Sequence, residues 1–178
     1  MAADFLLVAI TLPDFYEGEA DDIAAKLAGG FDRVHIRKPA ASLGDIRKLL
    51  NGVPEALHGK LSLHDGHELQ AEFPLVRRHF TSRNAIADPT GVYSASIHSL
   101  EETEKWPEAD YLLLSPIYDS ISKPGYRSRF SLRELTGDPR LSRIIALGGI
   151  TSRRLEELRQ AGFRGAAMLG SAGWKNKK

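Results

Sequence analysis

Short apolar, β-branched runs alternate along this chain with stretches whose apolar residues recur at helical intervals. The runs predict strands at Phe5–Thr11, Arg33–Arg37, Lys60–His64, Arg77–Phe80, Tyr93–Ile97, Tyr111–Ser115, Arg143–Leu147 and Ala166–Leu169. The intervening stretches predict helices at Glu19–Ala28, Ser42–Leu50, His67–Glu72, Leu100–Lys105, Leu132–Leu135 and Ser152–Ala161. Two helix starts carry a capping-box pattern, Ser42 with Asp45 and Ser99 with Glu102, in which side chains satisfy N–H groups the first turn leaves open. Strand–helix repeats of this kind imply parallel strands joined by crossover helices. The expected fold is therefore α/β, a compact (β/α)8 TIM barrel. It forms one domain over residues 1–174, with 175–178 a disordered basic tail. Thr81–Val92, interrupted by Pro89 and Gly91, has little room for a helix, and only a short tail follows Trp174. The barrel is thus expected to have a shortened fourth helix and a truncated last one. An open doubly wound sheet, the competing fold, uses fewer of the predicted strands.

The segment Ile144–Gly170 narrows the picture. Its apolar run ends at Gly148 and Gly149, a helix with Leu155, Leu158 and Ala161 on one face stops at Gly162, and Ala166–Leu169 ends at Gly170. In a barrel, the loops after the seventh and eighth strands are a frequent phosphate site, because glycine lets bare backbone N–H groups approach closely. The alternative is that these glycines only cap a helix and tighten turns.

Composition changes little. At 178 residues with 42% hydrophobic content the chain has enough apolar matter for one sizeable core. It has no cysteine, which excludes disulfides and thiolate metal sites, and its net charge of +1 is mixed along the chain, giving no support for nucleic-acid binding. No apolar run approaches the roughly 20 residues of a membrane span, and the N-terminus does not read as a signal peptide. A cytoplasmic location without membrane partners is the expectation.

The chemistry is expected at the C-terminal ends of the strands. These ends are polar: His35, Arg37 and Lys38 on the second, His64 and Asp65 on the third, Ser96 and His98 on the fifth, and a long loop with Lys123, Arg127 and Arg129 after the sixth. Arg37, Lys38 and Lys123 arriving from different strands suit phosphate or diphosphate. Asp65 among them is a natural ligand for a magnesium ion bridging diphosphate oxygens. Arg127 and Arg129 read as solvated. His35 and His98 can also simply bond backbone at the rim. A metal site from His35, His64 and His98 lacks the usual ligand spacing, and His58, His67 and His79 read as structural or surface residues.

On the segments VHIRKPAAS, LHDGHELQ, SIHSLEE, LSPIYDSISKPG, ALGGI and AGFRGAAMLGSAGW, in that order over nearly its whole length, the chain resembles the thiamine phosphate synthase family and its relatives the thiazole tautomerases. The resemblance implies a magnesium-dependent transferase of the thiamine-phosphate diphosphorylase kind. Such an enzyme joins an aminopyrimidine methyl diphosphate to a thiazole phosphate and releases diphosphate. By position, Arg37 and Lys123 hold the diphosphate, and Asp65 ligates Mg2+ with Asn84 in the second metal position. Ser96 touches the pyrimidine diphosphate, and Ser120 and Ser122 lie near the thiazole phosphate. Gly149, Leu169 and Gly170 receive that phosphate through backbone groups, and His35, Lys38 and His64 complete the substrate shell. Several positions depart from the family pattern: His35 replaces a usual Gln, His64 a usual Asn, Asn84 a carboxylate and Pro39 a lysine. Pro116 stands where the tautomerases carry their histidine. The alternatives are a tautomerase-like isomerase with His35 or His64 moving the proton, or a non-catalytic paralogue that binds thiazole or thiamine phosphate. The apolar face around Trp174 is expected to be covered by a partner subunit in a homodimer.

Overall fold

The computed structural model describes residues 4–86, 89–119, 128 and 130–175. Its strands are β1 (Leu6–Ile10), β2 (Arg33–Ile36), β3 (Leu61–Leu63), β4 (Arg77–Phe80), β5 (Tyr93–Ile97), β6 (Tyr111–Leu114), β7 (Ile144–Leu147) and β8 (Gly165–Met168). They run parallel in chain order and close into a barrel, with β8 pairing β1 from Leu6↔Gly165 to Ala9↔Met168. At this closing seam a Cβ on Gly165 would run into the Leu6 carbonyl oxygen, so the approach of the two backbones admits only glycine.

The α-helices are α1 (Glu19–Ala28), α2 (Leu43–Gly52), α3 (Leu132–Leu135) and α4 (Leu155–Ala161). The first two bury one stripe each, Ile23 with Leu27 and Ile46 with Leu49 and Leu50. The Ser42 hydroxyl caps α2 by accepting the Asp45 N–H at 3.1 Å and donating to the Asp45 carboxylate at 2.6 Å. The second expected capping box does not form. The segment after β5 is a 3-10 helix, Glu101–Lys105, without a side-chain cap, and the Ser99 hydroxyl instead bonds the Glu101 carboxylate. The expected helix after β3 likewise tightens into the 3-10 turn His67–Ala71. Connections this short reach the next strand only through the steeper rise of a 3-10 turn. Among the described residues the β4–β5 connection has no helix, and after β8 only a 3-10 turn, Gly170–Ala172, follows.

Period-two alternation sends successive side chains to opposite faces of the barrel wall. The outer faces of the strands pack under the helices in one large apolar cluster. Inside the barrel the two halves differ. From β6 through β8 to β1 the lumen is filled by Tyr111, Leu113, Ile145, Ala167, Val8 and Ile10. From β2 to β5 it is lined by His35, Ser62, His64, His79 and Ser94, all buried. His35 reaches across, its ring centroid 5.8 Å from that of Tyr111 on β6.

The chain's end locks onto its beginning. Trp174 is 3% exposed and its indole N–H donates to the Ile10 carbonyl at 2.8 Å. The Lys26 ammonium donates to the Gly173 carbonyl at 2.6 Å, and the Lys175 N–H to the Asp22 carboxylate at 2.9 Å. The face around Trp174, expected to need a partner, is thus covered by the chain itself, because β1 and α1 offer it an apolar seat and an acceptor. The basic tail is anchored at Lys175, and its remainder, 176–178, lies outside the described residues.

Candidate functional site

Every described residue picked out by the sequence stands at or just beyond the C-terminal end of a strand, on one rim of the barrel, apart from Asn84 in the loop after β4. Arg37 follows β2. Its backbone N–H is held by the Thr11 hydroxyl at 3.0 Å, while its half-buried guanidinium has no hydrogen bond or ion pair among the described residues. Asp65 follows β3, exposed and equally without a hydrogen bond or ion pair among the described residues. The rim therefore presents an unspent cation and an unspent carboxylate on neighbouring strands.

Two expected participants are spent elsewhere. Lys38 is 1% exposed, and its ammonium donates to the carbonyls of Leu12 and Asp14, both at 2.9 Å, and to the Glu19 carboxylate at 2.6 Å. All the donors of an ammonium are used, so Lys38 cannot serve as a phosphate ligand and instead ties the loop after β1 to β2. Burial pushes Glu19 up and Lys38 down, while their mutual attraction opposes both shifts. Asn84, expected as a metal ligand, caps its own loop. Its Oδ1 accepts from the Thr81 N–H at 2.6 Å and hydroxyl at 3.1 Å, and its amide donates to the His64 carbonyl at 2.8 Å. The oxygen a metal would need already holds the turn after β4.

The loops after β7 and β8 lie side by side on the rim. Register Leu147↔Ala167, continued along parallel strands, sets Gly149 level with Leu169. The Ser171 hydroxyl ties the two loops by donating to the Ile150 carbonyl at 2.6 Å. The N–H groups of Gly149, Gly170 and Ser171 have no acceptor among the described residues. Gly149 has φ +63°, and a Cβ there would collide with the Asp119 carbonyl and come within 2.8 Å of the Tyr118 Cβ; at Gly170 it would meet open space. One glycine therefore permits the segment after β6 to lie against the β7 loop, and the other leaves the mouth clear. Lys123, Ser120 and Ser122, with Arg127 and Arg129, lie outside the described residues.

His35 and His64 face the lumen beneath this rim. His35 Nδ1 is 2.9 Å from His64 Nε2, and His35 Nε2 is 2.6 Å from the Tyr111 hydroxyl. His79, read from sequence as structural, joins them, its ring 4.9 Å from that of His35 and stacked at 4.1 Å on that of His64. Its ring nitrogens are each 2.8 Å from a serine hydroxyl, Nδ1 from Ser94 and Nε2 from Ser96. Ser96 thus contacts His79, and its half-buried position is the step between lumen and mouth. Burial pushes His35 down to about 3, with Arg33 adding to the effect, and pushes His64 and His79 well below the ordinary range. All three rings are neutral near pH 7. His98 stays apart, exposed with Nδ1 3.1 Å from the Ser115 carbonyl. The sequence did hold a signal for His79: it occupies the third position of β4, as His35 does of β2, and alternate strands share a layer inside such barrels.

A closed ring of eight parallel strands with its polar residues on the C-terminal rim makes this a TIM barrel. Residues 79–172 match the family model for thiamine monophosphate synthase, TMP-TENI. A solved thiamine phosphate pyrophosphorylase from Bacteroides thetaiotaomicron is 32% identical, over 94% of this chain and 84% of that one, with a TM-score of 0.78. The pyrophosphorylase from Pyrococcus furiosus, 17% identical over 97% of this chain and 89% of that one, has a TM-score of 0.74, a likeness of fold. No match was found among curated proteins. The chain belongs to the thiamine monophosphate synthase family. Among the described residues, no helix is long and apolar enough to cross a membrane.

Proposed function

We propose that this protein is a transferase that joins an aminopyrimidine methyl diphosphate to a hydroxyethyl thiazole phosphate, giving thiamine phosphate and diphosphate. The observation that carries this reading is the coincidence, on one rim, of the Gly149, Gly170 and Ser171 N–H groups with the Arg37 guanidinium and the Asp65 carboxylate, none of these groups having a hydrogen-bond partner among the described residues. Backbone N–H groups without acceptors suit a phosphate monoester, and a free guanidinium suits a diphosphate.

At this point of the rim Asp65 supplies a charged oxygen, while the neutral amide oxygen of Asn84 is already occupied. That donor set fits a magnesium ion held mainly by diphosphate oxygens, as such ions commonly are. Asp65 would hold it, and its charge would offset the negative charge of the departing group. The rest falls to the chain. The β7–β8 rim fixes the thiazole phosphate and so points the ring nitrogen at the pyrimidine methylene carbon. Arg37, beyond β2, fixes the diphosphate and stabilises charge that grows as the carbon–oxygen bond breaks. The thiazole nitrogen then bonds to that carbon, and the electron pair of the broken bond leaves with diphosphate.

Incubating the protein with both phosphorylated substrates and Mg2+ should yield thiamine phosphate. Arg37→Ala should lower turnover by at least ~100-fold, the usual cost of one preorganised charge-stabilising group. Absence of product above background, with the protein folded, would overturn the reading. Metal-independent proton exchange on the thiazole would then favour the isomerase, and product binding without either reaction the non-catalytic paralogue. The complete burial of His35, 0% exposed, counts against its acting as the isomerase's acid–base group.

A further inference from the structure

We propose that His35, His64 and His79 form a binding site for one late first-row divalent metal ion of the Zn2+ type, inside the barrel below the rim. One ring nitrogen from each lies within 4.8 Å of the others, all on buried residues. Two nitrogens bound to one tetrahedral zinc, at about 2.0–2.1 Å each, sit roughly 3.3 Å apart. The His35 Nδ1 to His64 Nε2 separation of 2.9 Å is already close to that value, and the third nitrogen, within 4.8 Å of the others, has to close on them.

The surroundings of the rings resemble those of metal-bound imidazoles. A ligating histidine ordinarily gives its second N–H to an oxygen that fixes its tautomer and orientation. Here the Tyr111 hydroxyl stands 2.6 Å from His35 Nε2, and the Ser94 hydroxyl 2.8 Å from His79 Nδ1. If those two nitrogens carry the protons, His35 Nδ1 and His79 Nε2 are left for the ion beside His64 Nε2. The proton shared between His35 and His64 moves to a remote nitrogen on the same ring, so tautomer change frees these two nitrogens for the ion. Neutral imidazoles suit zinc, copper, nickel and iron and are a poor set for magnesium, which separates this site from the diphosphate-bound ion proposed at Asp65. Three protein nitrogens leave one tetrahedral position open. His64 and the half-buried Ser96 mark the mouth side of the cluster, so that position faces the rim.

Three imidazoles gather in this half of the lumen. Barrel interiors are ordinarily filled by branched apolar residues, as the other half of this lumen is. The proposal is independent of the transferase reading and stands or falls by binding.

The full chain, freed of metal by a chelator, should take up one equivalent of Co2+ with the intense visible bands of tetrahedral cobalt, and Zn2+ should displace it. Zn2+ should also raise the melting temperature. His35→Gln and His64→Asn install residues usual at these positions in the family and are chosen to keep the fold. Each should weaken binding at least ~100-fold, more than loss of an outer-shell partner, which typically costs 10- to 100-fold. Tyr111→Phe should weaken it about tenfold and His98→Ala not at all. A folded wild-type chain that binds no stoichiometric Co2+, or binding unchanged in both histidine variants, would overturn the proposal.

Discussion

Lys38 and Arg37 are neighbours in sequence and opposites in use. The run IRKPA cannot tell which cation turns inward, because that depends on Glu19, placed on α1 by the fold. Removing Lys38 leaves the Glu19 carboxylate buried with no counter-charge, and its Oε2 already lacks a partner. Lys38→Met should therefore cost about 3–5 kcal/mol in urea unfolding, the usual penalty for breaking a buried pair from one side. The lumen histidines set a pH dependence. His35 protonates near its ordinary value when unfolded but only at about 3 when folded, so between those limits the unfolded chain binds the extra proton. Stability should fall as pH drops below about 6.5, by up to about 1.4 kcal/mol per pH unit for this residue. His35→Gln should flatten that slope in melts between pH 7 and pH 5. His35 and His64 are visible in the sequence as candidates, yet their convergence with His79, which reads from the sequence as structural or surface, depends on the strand register.

Among the elements, strands were the most legible. β4 and β5 match their sequence-derived bounds, and the others differ only at their ends, because period-two patterning and punctuating glycines are local signals. Helices after β3 and β5 were less so: capping and periodicity resemble those of α-helices, while the short distance to the next strand selects 3-10 turns. Gly149 was read as a phosphate contact, and it is also the point where the segment after β6 meets the β7 loop. In Gly149→Ala the new methyl would strike Asp119 and Tyr118 in a backbone conformation that disfavours side chains. The strain should cost about 1–3 kcal/mol. By shifting the rim, it should lower kcat/KM for the thiazole phosphate on the order of a hundredfold, measured by steady-state kinetics.

For the molecule as a whole, the closed barrel with its shortened fourth leg and truncated last one is legible from the count of strands and the lengths between them. The seating of Trp174 was not, since nothing local reveals that its acceptor is Ile10. Trp174→Ala should cost about 3–5 kcal/mol, lowering the melting temperature by roughly 10 °C, and the drop should not depend on protein concentration if the cover comes from the same chain. The seam between β1 and β8 has a further consequence during synthesis. The strand Leu6–Ile10 emerges from the ribosome well before its partner on one side and the indole that caps it, which stands 164 residues beyond Ile10. Until then a row of unpaired amides and carbonyls on a hydrophobic ribbon stays open to other nascent chains. Deletion of Gly165–Trp174 should therefore leave the remainder aggregation-prone in cell-free translation and dependent on chaperones, whereas the full-length chain is released soluble.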